Sequence, residues 1–462
     1  MTATVAAPDG LATPARYWAV ASVGLALFMT VLDSAIANVA LPVIARDFGA
    51  PPADSIWIVN AYQLAIVTTL LPLASIGEKV GFRRVYLVGL TVFTIASLAC
   101  SLSHSLGLLT AARALQGLGA AGVMSVNGGL IRFIWPTRLL GRGIGINAMV
   151  ISVSAAVGPS VASAILALGP WPWLFAVNIP IGLAALALAS RALPDNPRSG
   201  RPFDWLSALL NAGTFGLIIF GVDVISRTRS KIGGALELAA GLLFGFILVR
   251  REWPMRRPLV PFDLLRDRIF ALSVATSIAS FAAQLLAFVS LPFHFENTLH
   301  YNQVQTGLLM TPWPVAVGVL APISGWLSDR LSTAVLCAIG QVLLAAGLLA
   351  LAILPPHPAI LDIGWRMALC GAGFGVFQAP NNRMMLAAAP RERAGAAGGM
   401  LGTARLTGQT MGAVLTAVFL HMFASRGEIV ALYVAAAFAV LGAWFSLMRT
   451  GRRADDQALS SP

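Results

Sequence analysis

Long apolar runs recur along almost the whole chain, and this recurrence limits the possible folds more than any other feature of the sequence. Most runs reach about 20 residues, the length that an α-helix needs to cross a lipid bilayer. The composition agrees, because 57% of the residues are hydrophobic and only 11% are charged, which fits no class of soluble globular protein. The runs are continuous, whereas the strands of a transmembrane barrel alternate. We therefore predict an all-α polytopic membrane protein.

The apolar runs predict about fourteen membrane-spanning helices. The first follows Arg16 and is too long for a cleavable signal peptide, so we expect it to be retained. The seventh and eighth are joined by polar residues from Asp223 to Lys231. Alternatively these two form one re-entrant hairpin, and the other twelve keep their orientation. The approximate bounds are 17–41, 55–74, 84–103, 106–134, 140–168, 172–192, 205–224, 231–249, 269–292, 303–325, 333–354, 360–388, 395–424 and 428–448.

Lysine and arginine residues fall mainly on one side of these helices. With both termini in the cytoplasm, 23 of the 31 lie on the inner side, 5 lie on the outer side and three lie within helices. Cytoplasmic loops carry such an excess, so we predict the cytoplasmic (inner) membrane of a bacterium with both termini inside. The same bias explains the net charge of +12, and we expect no nucleic-acid partner.

Asp33 lies in the outer half of the first predicted helix and is the only charged residue between Trp18 and Asn38. A carboxylate at the centre of a membrane helix costs about 2.5–3.5 kcal/mol on insertion scales. Such a residue normally faces a bundle interior or a wet cavity and marks a proton or substrate pathway. We expect Asp33 to meet each side of the membrane in turn. The alternative is one permanent pairing with a neighbouring helix.

The sequence contains an internal repeat. The second helix ends with Ala74 to Lys79 and the tenth with Gly325 to Arg330, and each end has a small residue, three spacers, an acid and a base. The copies lie eight helices apart, and transporters are often built from duplicated halves. We therefore predict a disordered N-terminus at 1–15, six-helix bundles at 16–194 and 265–450, a linker with two inserted helices at 195–264, and a cytoplasmic tail at 451–462.

The repeated loop has the charges of a latch between helix ends. An acid and several bases at a cytoplasmic helix end can interact with each other and with helix dipoles, although positive-inside decoration alone also explains the arginines. The candidate latch residues are Glu78, Lys79, Gly81, Arg83, Arg84, Asp329 and Arg330.

Two further helices carry motifs near the predicted position of Asp33. Arg113 begins the stretch to Ala121 on the fourth helix, and an arginine within the membrane needs a partner because it stays charged. Asp33 is the candidate partner, and a static ion pair or an outward-pointing Arg113 are the alternatives. On the fifth helix, Gly158 and Pro159 lie among small residues, where the proline bends the helix and the small residues allow close packing.

On these motifs the chain resembles the major facilitator superfamily, specifically its fourteen-helix drug:proton antiporters (DHA2-type multidrug efflux transporters), over nearly its whole length. The loop departs from the family pattern, which has glycine at Ala74 and aspartate at Glu78. The resemblance implies that Arg113 assists proton transfer and that Gly158 and Pro159 belong to an antiporter motif. Four further stretches resemble the fourteen-helix branch in particular: 32–42, 171–182, 203–205 and 258–261.

Polar and aromatic residues on three helices are candidates to line a substrate cavity. Aromatic rings stack on lipophilic cations and amides orient a bound molecule, although each such residue taken alone is more often a packing residue. Glu296, beside His294 near the predicted outer mouth, is a further proton-coupling candidate or a cation-attracting rim, and a solvated loop acid is its alternative. The lining candidates are Trp57, Asn60, Tyr62, Gln63, Gln284, Phe288, Phe374, Phe377, Gln378 and Asn381.

Motifs of other protein classes are missing from the sequence. It has no Gly-Lys dipeptide and hence no P-loop, no His-Glu-x-x-His and no Gly-x-Ser-x-Gly. Cys100, Cys337 and Cys370 are scattered and give no disulfide framework or metal-ligand spacing. We therefore expect no enzyme activity, no cofactor and no metal site.

Together these features predict a monomeric proton-coupled antiporter in the lipid bilayer. Its partners are protons and a small-molecule substrate, and it exports lipophilic, cationic drugs or toxic compounds. The alternatives are an exporter of one metabolite or antibiotic, an uncoupled facilitator and a lipid-moving protein of the same fold.

Overall fold

The computed structural model describes residues 10–136, 139–195, 203–227, 232–255, 260–328, 330–389, 394–423 and 426–449. In these ranges the regular secondary structure is entirely helical, which confirms the all-α prediction. The long helices are α1 Thr13–Asp47, α2 Pro52–Val80, α3 Phe82–Ser101, α4 Leu106–Ile134, α5 Leu140–Leu168, α6 Trp173–Ala192, α7 Trp205–Arg227, α8 Ile232–Glu252, α9 Arg268–Thr298, α10 Gln303–Leu327, α11 Thr333–Ala352, α12 Ile360–Ala388, α13 Ala394–Met422 and α14 Gly427–Leu447.

Twelve helices in the described ranges are long and apolar enough to cross a membrane, judged by length and composition. The chain is therefore a multi-pass membrane protein. The helices α5 and α13 are not among the twelve, so the count of fourteen spans stays a prediction.

Local sequence signals set several helix ends. Gly81 separates α2 from α3 with φ = 110°, a backbone conformation that glycine adopts at little cost. The Ser105 side chain accepts a hydrogen bond from the Leu108 nitrogen at the start of α4. Asn302 and Gln305 form a reciprocal capping box at the start of α10.

The buried core is built around two sets of helices. One apolar cluster joins residues of α1 to α4 and α6 with Leu406 of α13, and another joins α9 to α12 and α14. Since α5 packs on α1 and α13 packs on α9, the first set is α1 to α6 and the second set is α9 to α14. Glycines allow equivalent close contacts in the two sets. A Cβ at Gly119 would lie 2.4 Å from the Phe93 nitrogen on α3, and a Cβ at Gly373 would lie 2.3 Å from the Leu344 nitrogen on α11. Because these helix pairs lie eight helices apart, the packing accords with the predicted repeat.

The helices α7 and α8 form a hairpin that lies across α2 and α13. Asn211 Nδ2 on α7 donates a hydrogen bond to the Thr68 carbonyl oxygen at 3.0 Å. An apolar cluster packs Leu210 and Leu248 of the hairpin with Leu71 of α2 and Met400 of α13. The hairpin therefore contacts both sets of helices on one side of the molecule.

Candidate functional site

Asp33 lies deep between α1, α4 and α6, with 1% of its surface exposed. Arg113 Nη1 on α4 donates a hydrogen bond to Asp33 Oδ2 at 2.5 Å. Gln116 Nε2 and Asn178 Nδ2 donate to Oδ1 at 3.0 and 2.7 Å. The carboxylate on α1 therefore accepts hydrogen bonds from side chains of α4 and α6. The Asp33–Arg113 pairing suggested by the sequence is observed.

The Arg113 guanidinium is completely buried and only partly satisfied. Its Nη1 also donates to Gln116 Oε1 at 2.6 Å, and its Nε donates to the Ile58 carbonyl oxygen at 3.1 Å. Its Nη2 has no hydrogen-bond partner among the described residues. An unsatisfied buried donor is costly, so Arg113 favours any rearrangement that brings an acceptor to Nη2.

Small residues of the motifs bring the helices together around Asp33. A Cβ at Gly158 on α5 would lie 2.5 Å from the Ala35 Cβ on α1. A Cβ at Gly117 on α4 would lie 2.5 Å from the Tyr62 carbonyl oxygen on α2. Pro159 lies within α5 directly after the first contact. The geometry thus explains why side chains larger than hydrogen are absent at these two positions.

A central cavity of about 160 Å³ lies between the two sets of helices. Its walls contain five aromatic side chains, which are Tyr62, Phe281, Phe288, Trp313 and Phe374. They also contain five amides, which are Asn38, Gln63, Gln284, Gln378 and Gln409. The one charged residue among the lining residues is Arg405 on α13. The cavity is therefore aromatic, rich in amides and positively charged.

Six of the ten lining candidates border this cavity: Tyr62, Gln63, Gln284, Phe288, Phe374 and Gln378. Trp57 is placed differently from the expectation. Its Nε1 donates a hydrogen bond to Asp223 Oδ1 at 3.2 Å, and its ring stacks on Phe220 of α7 with centroids 5.0 Å apart. The inserted hairpin occupies the face of α2 from which Trp57 projects.

Three further lining candidates also lie away from the cavity. Asn60 and Phe377 are 1% and 0% exposed and are packed within their own sets of helices. Asn381 donates a hydrogen bond to Ser277 Oγ at 2.8 Å and accepts one from Arg449 Nη1 at 2.7 Å. Both contacts are to residues of its own set of helices. The Asn381 side chain therefore packs within that set and does not face the cavity.

Asp33 does not border the cavity in this conformation, although its neighbours on α1 do. Thr30, Ser34 and Asn38 contribute to the wall. The Tyr62 ring, which also borders the cavity, lies 4.2 Å from the Arg113 guanidinium carbon. Because Asp33 is 1% exposed, water or substrate in the cavity reaches its carboxylate only after the surrounding side chains rearrange.

The loop after α2, which the sequence predicts to be cytoplasmic, contacts its own set of helices. Arg83 donates a hydrogen bond to the Ser190 carbonyl oxygen at 2.5 Å and lies 3.7 Å from the Asp195 carboxylate, so it ties α3 to the end of α6. Glu78, Lys79 and Arg84 are exposed.

The second copy of the loop shows no contact with the first in the described part of the chain. Arg330 lies over the Trp326 ring at 4.2 Å. Asp329 lies outside the described residues. The latch role of both copies therefore stays a prediction.

Glu296 lies at the predicted outer end of α9, where a one-turn π-helix over His294–Thr298 extends the helix. Its side chain is 0% exposed, and Glu296 Oε2 accepts a hydrogen bond from Arg46 Nη2 at 2.5 Å. Arg46 ends α1, so this ion pair joins the two sets of helices. The solvated loop acid considered from the sequence is not what the structure shows.

The sequence interpretation left out several residues that the structure brings to these sites. Gln116 and Asn178 belong to stretches used only for the resemblance, and Trp313 and Gln409 were not considered. Arg405 was noted merely as an arginine within a helix. The rule that singled out Asp33, an ionisable group within an apolar segment, also applies to Arg405.

Comparison with known proteins places these features in a family. A sequence model of the Major Facilitator Superfamily matches residues 23–413 and 272–459. The uncharacterized transporter YebQ of Escherichia coli strain K12 is 50% identical over 96% of this chain and 97% of its own length.

Two more distant relatives have named functions. The riboflavin transporter RibZ of Clostridioides difficile strain 630 is 30% identical over 87% of this chain and 86% of its own length. The multidrug resistance protein Stp of Mycobacterium tuberculosis strain CDC 1551 / Oshkosh is 31% identical over 89% of this chain and 75% of its own length. All three matches cover most of both chains.

Proposed function

Because the chain belongs to the Major Facilitator Superfamily and is a membrane transporter of that type, we propose that it is a proton-coupled exporter of lipophilic drugs or toxic compounds. The observation that carries this proposal is the Asp33–Arg113 ion pair, which is buried within membrane-spanning helices. Ionisable residues at such depth mark proton or ion pathways by default. The likeness to Stp, a multidrug resistance protein, supports the class of substrate.

Tyr62 supplies the link between substrate and proton. Its ring forms part of the cavity wall and packs on Arg113, and its hydroxyl donates a hydrogen bond to the Thr30 carbonyl oxygen at 3.3 Å. A substrate that displaces the ring uncovers the ion pair. A proton on Asp33 removes the negative charge that compensates Arg113, and the cluster then rearranges. Substrate and proton thereby compete for conformations of the same small group of side chains.

The Arg46–Glu296 ion pair acts as a closing contact at the predicted outer end. It joins α1 to α9, so the two sets of helices can separate there only when it breaks. A proton from the outside that neutralises Glu296 weakens the pair and favours outward opening. This step gives the external proton concentration a direct effect on the transport cycle.

The proton gradient supplies enough free energy for this cycle. One elementary charge yields about 2.3 kcal/mol per 100 mV of membrane potential, and one pH unit adds about 1.4 kcal/mol. Since about 1.4 kcal/mol corresponds to a tenfold concentration ratio, one proton can drive a ten- to hundredfold substrate gradient.

A transporter of one planar compound is the second candidate. It is favoured by the five amides of the cavity, which suit directional recognition, and by the likeness to the riboflavin transporter RibZ. A panel that includes a flavin, dyes, quaternary ammonium compounds and lipids separates this candidate from a broad exporter, an uncoupled facilitator and a lipid-moving protein.

Proteoliposomes with an imposed pH gradient test the proposal. We expect gradient-driven transport of at least one panel compound, accompanied by proton movement in the opposite direction. Asp33→Asn abolishes the gradient dependence, whereas Asp267→Asn, at an exposed acid whose capping of α9 an asparagine also provides, leaves it intact. Equal transport with and without the gradient in the unaltered protein would refute proton coupling.

A further inference from the structure

Arg405 is a cation at the centre of the molecule that has no ion-pair partner in the described part of the chain. It borders the cavity from α13, and its Nε is buried with no hydrogen-bond partner among the described residues. By contrast, the other arginine at this depth, Arg113, is paired with Asp33. A charged group that is partly removed from water and has no counterion is costly, so Arg405 favours a bound group of opposite charge.

The acids nearest to the cavity are already engaged. Asp33 accepts hydrogen bonds from three side chains and is not among the residues that line the cavity. Glu296 is paired with Arg46 at the predicted outer end. A cationic substrate would therefore meet Arg405 without meeting a carboxylate, which disfavours the cationic drugs expected from the resemblance.

The remaining walls suit a flat aromatic molecule with polar substituents. Phe288 packs edge-to-face on Trp313 with centroids 5.0 Å apart, and Phe281 packs on Phe374 at 5.3 Å. These contacts hold the rings as fixed apolar surfaces. The five cavity amides can donate to carbonyl or carboxylate oxygens. The cavity volume of about 160 Å³ admits one aromatic ring, since about 150 Å³ holds benzene, and a second fused ring requires the displacement of the Tyr62 ring that the proposed function includes.

From this combination we propose that the cavity selects planar aromatic anions and that Arg405 binds their anionic group. The inference rests on the proposed function in taking this cavity as the substrate site. It specifies the substrate class of that site, namely aromatic carboxylates, sulfonates and phenolates.

Equilibrium binding tests the charge selection without requiring transport. The probes are 2-naphthoate and 2-naphthyltrimethylammonium, which share a bicyclic ring system and differ in charge. Isothermal titration calorimetry on the full-length protein in nanodiscs, with empty nanodiscs as the blank, measures both. We expect the anion to bind at least tenfold more tightly than the cation.

Substitutions at Arg405 assign the selectivity to this side chain. Arg405→Gln is expected to weaken naphthoate binding at least tenfold and to leave the cation unchanged or tighter. Arg405→Lys keeps the charge and is expected to retain naphthoate affinity within about threefold. Arg250→Gln removes an exposed charge at the end of α8 and serves as the matched control.

The outcomes separate this inference from the proposed function. Tighter binding of the cation, an equal loss of both probes in Arg405→Gln, or binding of neither probe overturns anion selection. Arg405-dependent naphthoate binding without any response to a pH gradient in proteoliposomes supports the inference and refutes only the proton-coupled export.

Discussion

The Tyr62 ring centroid lies 4.2 Å from the Arg113 guanidinium carbon, so one side chain covers the buried ion pair and borders the central cavity. Cation–π contact stabilises this arrangement where water is excluded. The ring thus contacts two chemical environments, the polar cluster around Asp33 and a cavity that can hold a substrate.

Removing the Tyr62 ring is expected to expose Asp33 to the cavity. In Tyr62→Ala, the carboxylate should react at least tenfold faster with a hydrophobic carbodiimide, because the ring between Arg113 and the cavity wall is gone. Tyr62→Phe keeps the ring and loses only the hydrogen bond to Thr30, so its labelling rate should stay near that of the unaltered protein. Mass spectrometry of the peptide containing Asp33 measures both rates, and equal labelling of the two variants would show that the ring is not the barrier.

Breaking the Asp33–Arg113 pair on one side is expected to destabilise the fold. Removing one partner of a buried ion pair leaves an uncompensated charge and costs about 3–5 kcal/mol. Asp33→Asn and Arg113→Gln should each lower the unfolding temperature in detergent. The double variant should recover most of the loss while remaining inactive in gradient-driven transport, and additive losses in this double-mutant cycle would argue against a direct interaction.

Neutralising Glu296 is expected to open the predicted outer end. Ser160 on α5 contacts Thr311 across the two sets of helices, with hydroxyl oxygens 2.9 Å apart, so it reports their separation. A cysteine at position 160 should react several-fold faster with an impermeant maleimide when Glu296→Gln or Arg46→Gln is present.

Two companion variants test whether the ion pair itself causes this effect. The exchange of both charges, Arg46→Glu with Glu296→Arg, should restore slow labelling. Arg426→Gln, at an exposed arginine outside the pair, should have no effect. Unchanged reactivity in Glu296→Gln would show that the Arg46–Glu296 ion pair does not hold the predicted outer end closed.

A methyl group at Gly158 is expected to push α5 away from α1. It would lie 2.5 Å from the Ala35 Cβ, and overpacking of this kind typically costs about 1–3 kcal/mol. Ala35→Gly should rescue both stability and transport in Gly158→Ala. Gly128→Ala has no atom within 4 Å of the added Cβ and should be neutral or stabilising, as measured by thermal unfolding. If Ala35→Gly does not rescue Gly158→Ala, the requirement for glycine at position 158 does not come from its contact with Ala35.

The sequence was sufficient to predict the all-α fold and the partner of Asp33. Membrane-spanning helices follow from the length of apolar runs, and a lone carboxylate and a lone arginine in two such runs have few alternative partners. Periodicity does not say which face of α2 meets the inserted hairpin, so Trp57 was assigned to the cavity and lies against Phe220 instead. The π-type turn that buries Glu296 likewise depends on tertiary packing.

The hairpin of α7 and α8 makes the two sides of the transporter unequal for molecules dissolved in the bilayer. Because it covers the seam where α2 approaches α13, a lipid-borne compound cannot reach the interior along that seam without displacing the hairpin. Substrates that enter from the lipid therefore approach the cavity from a side of the protein that the hairpin leaves uncovered.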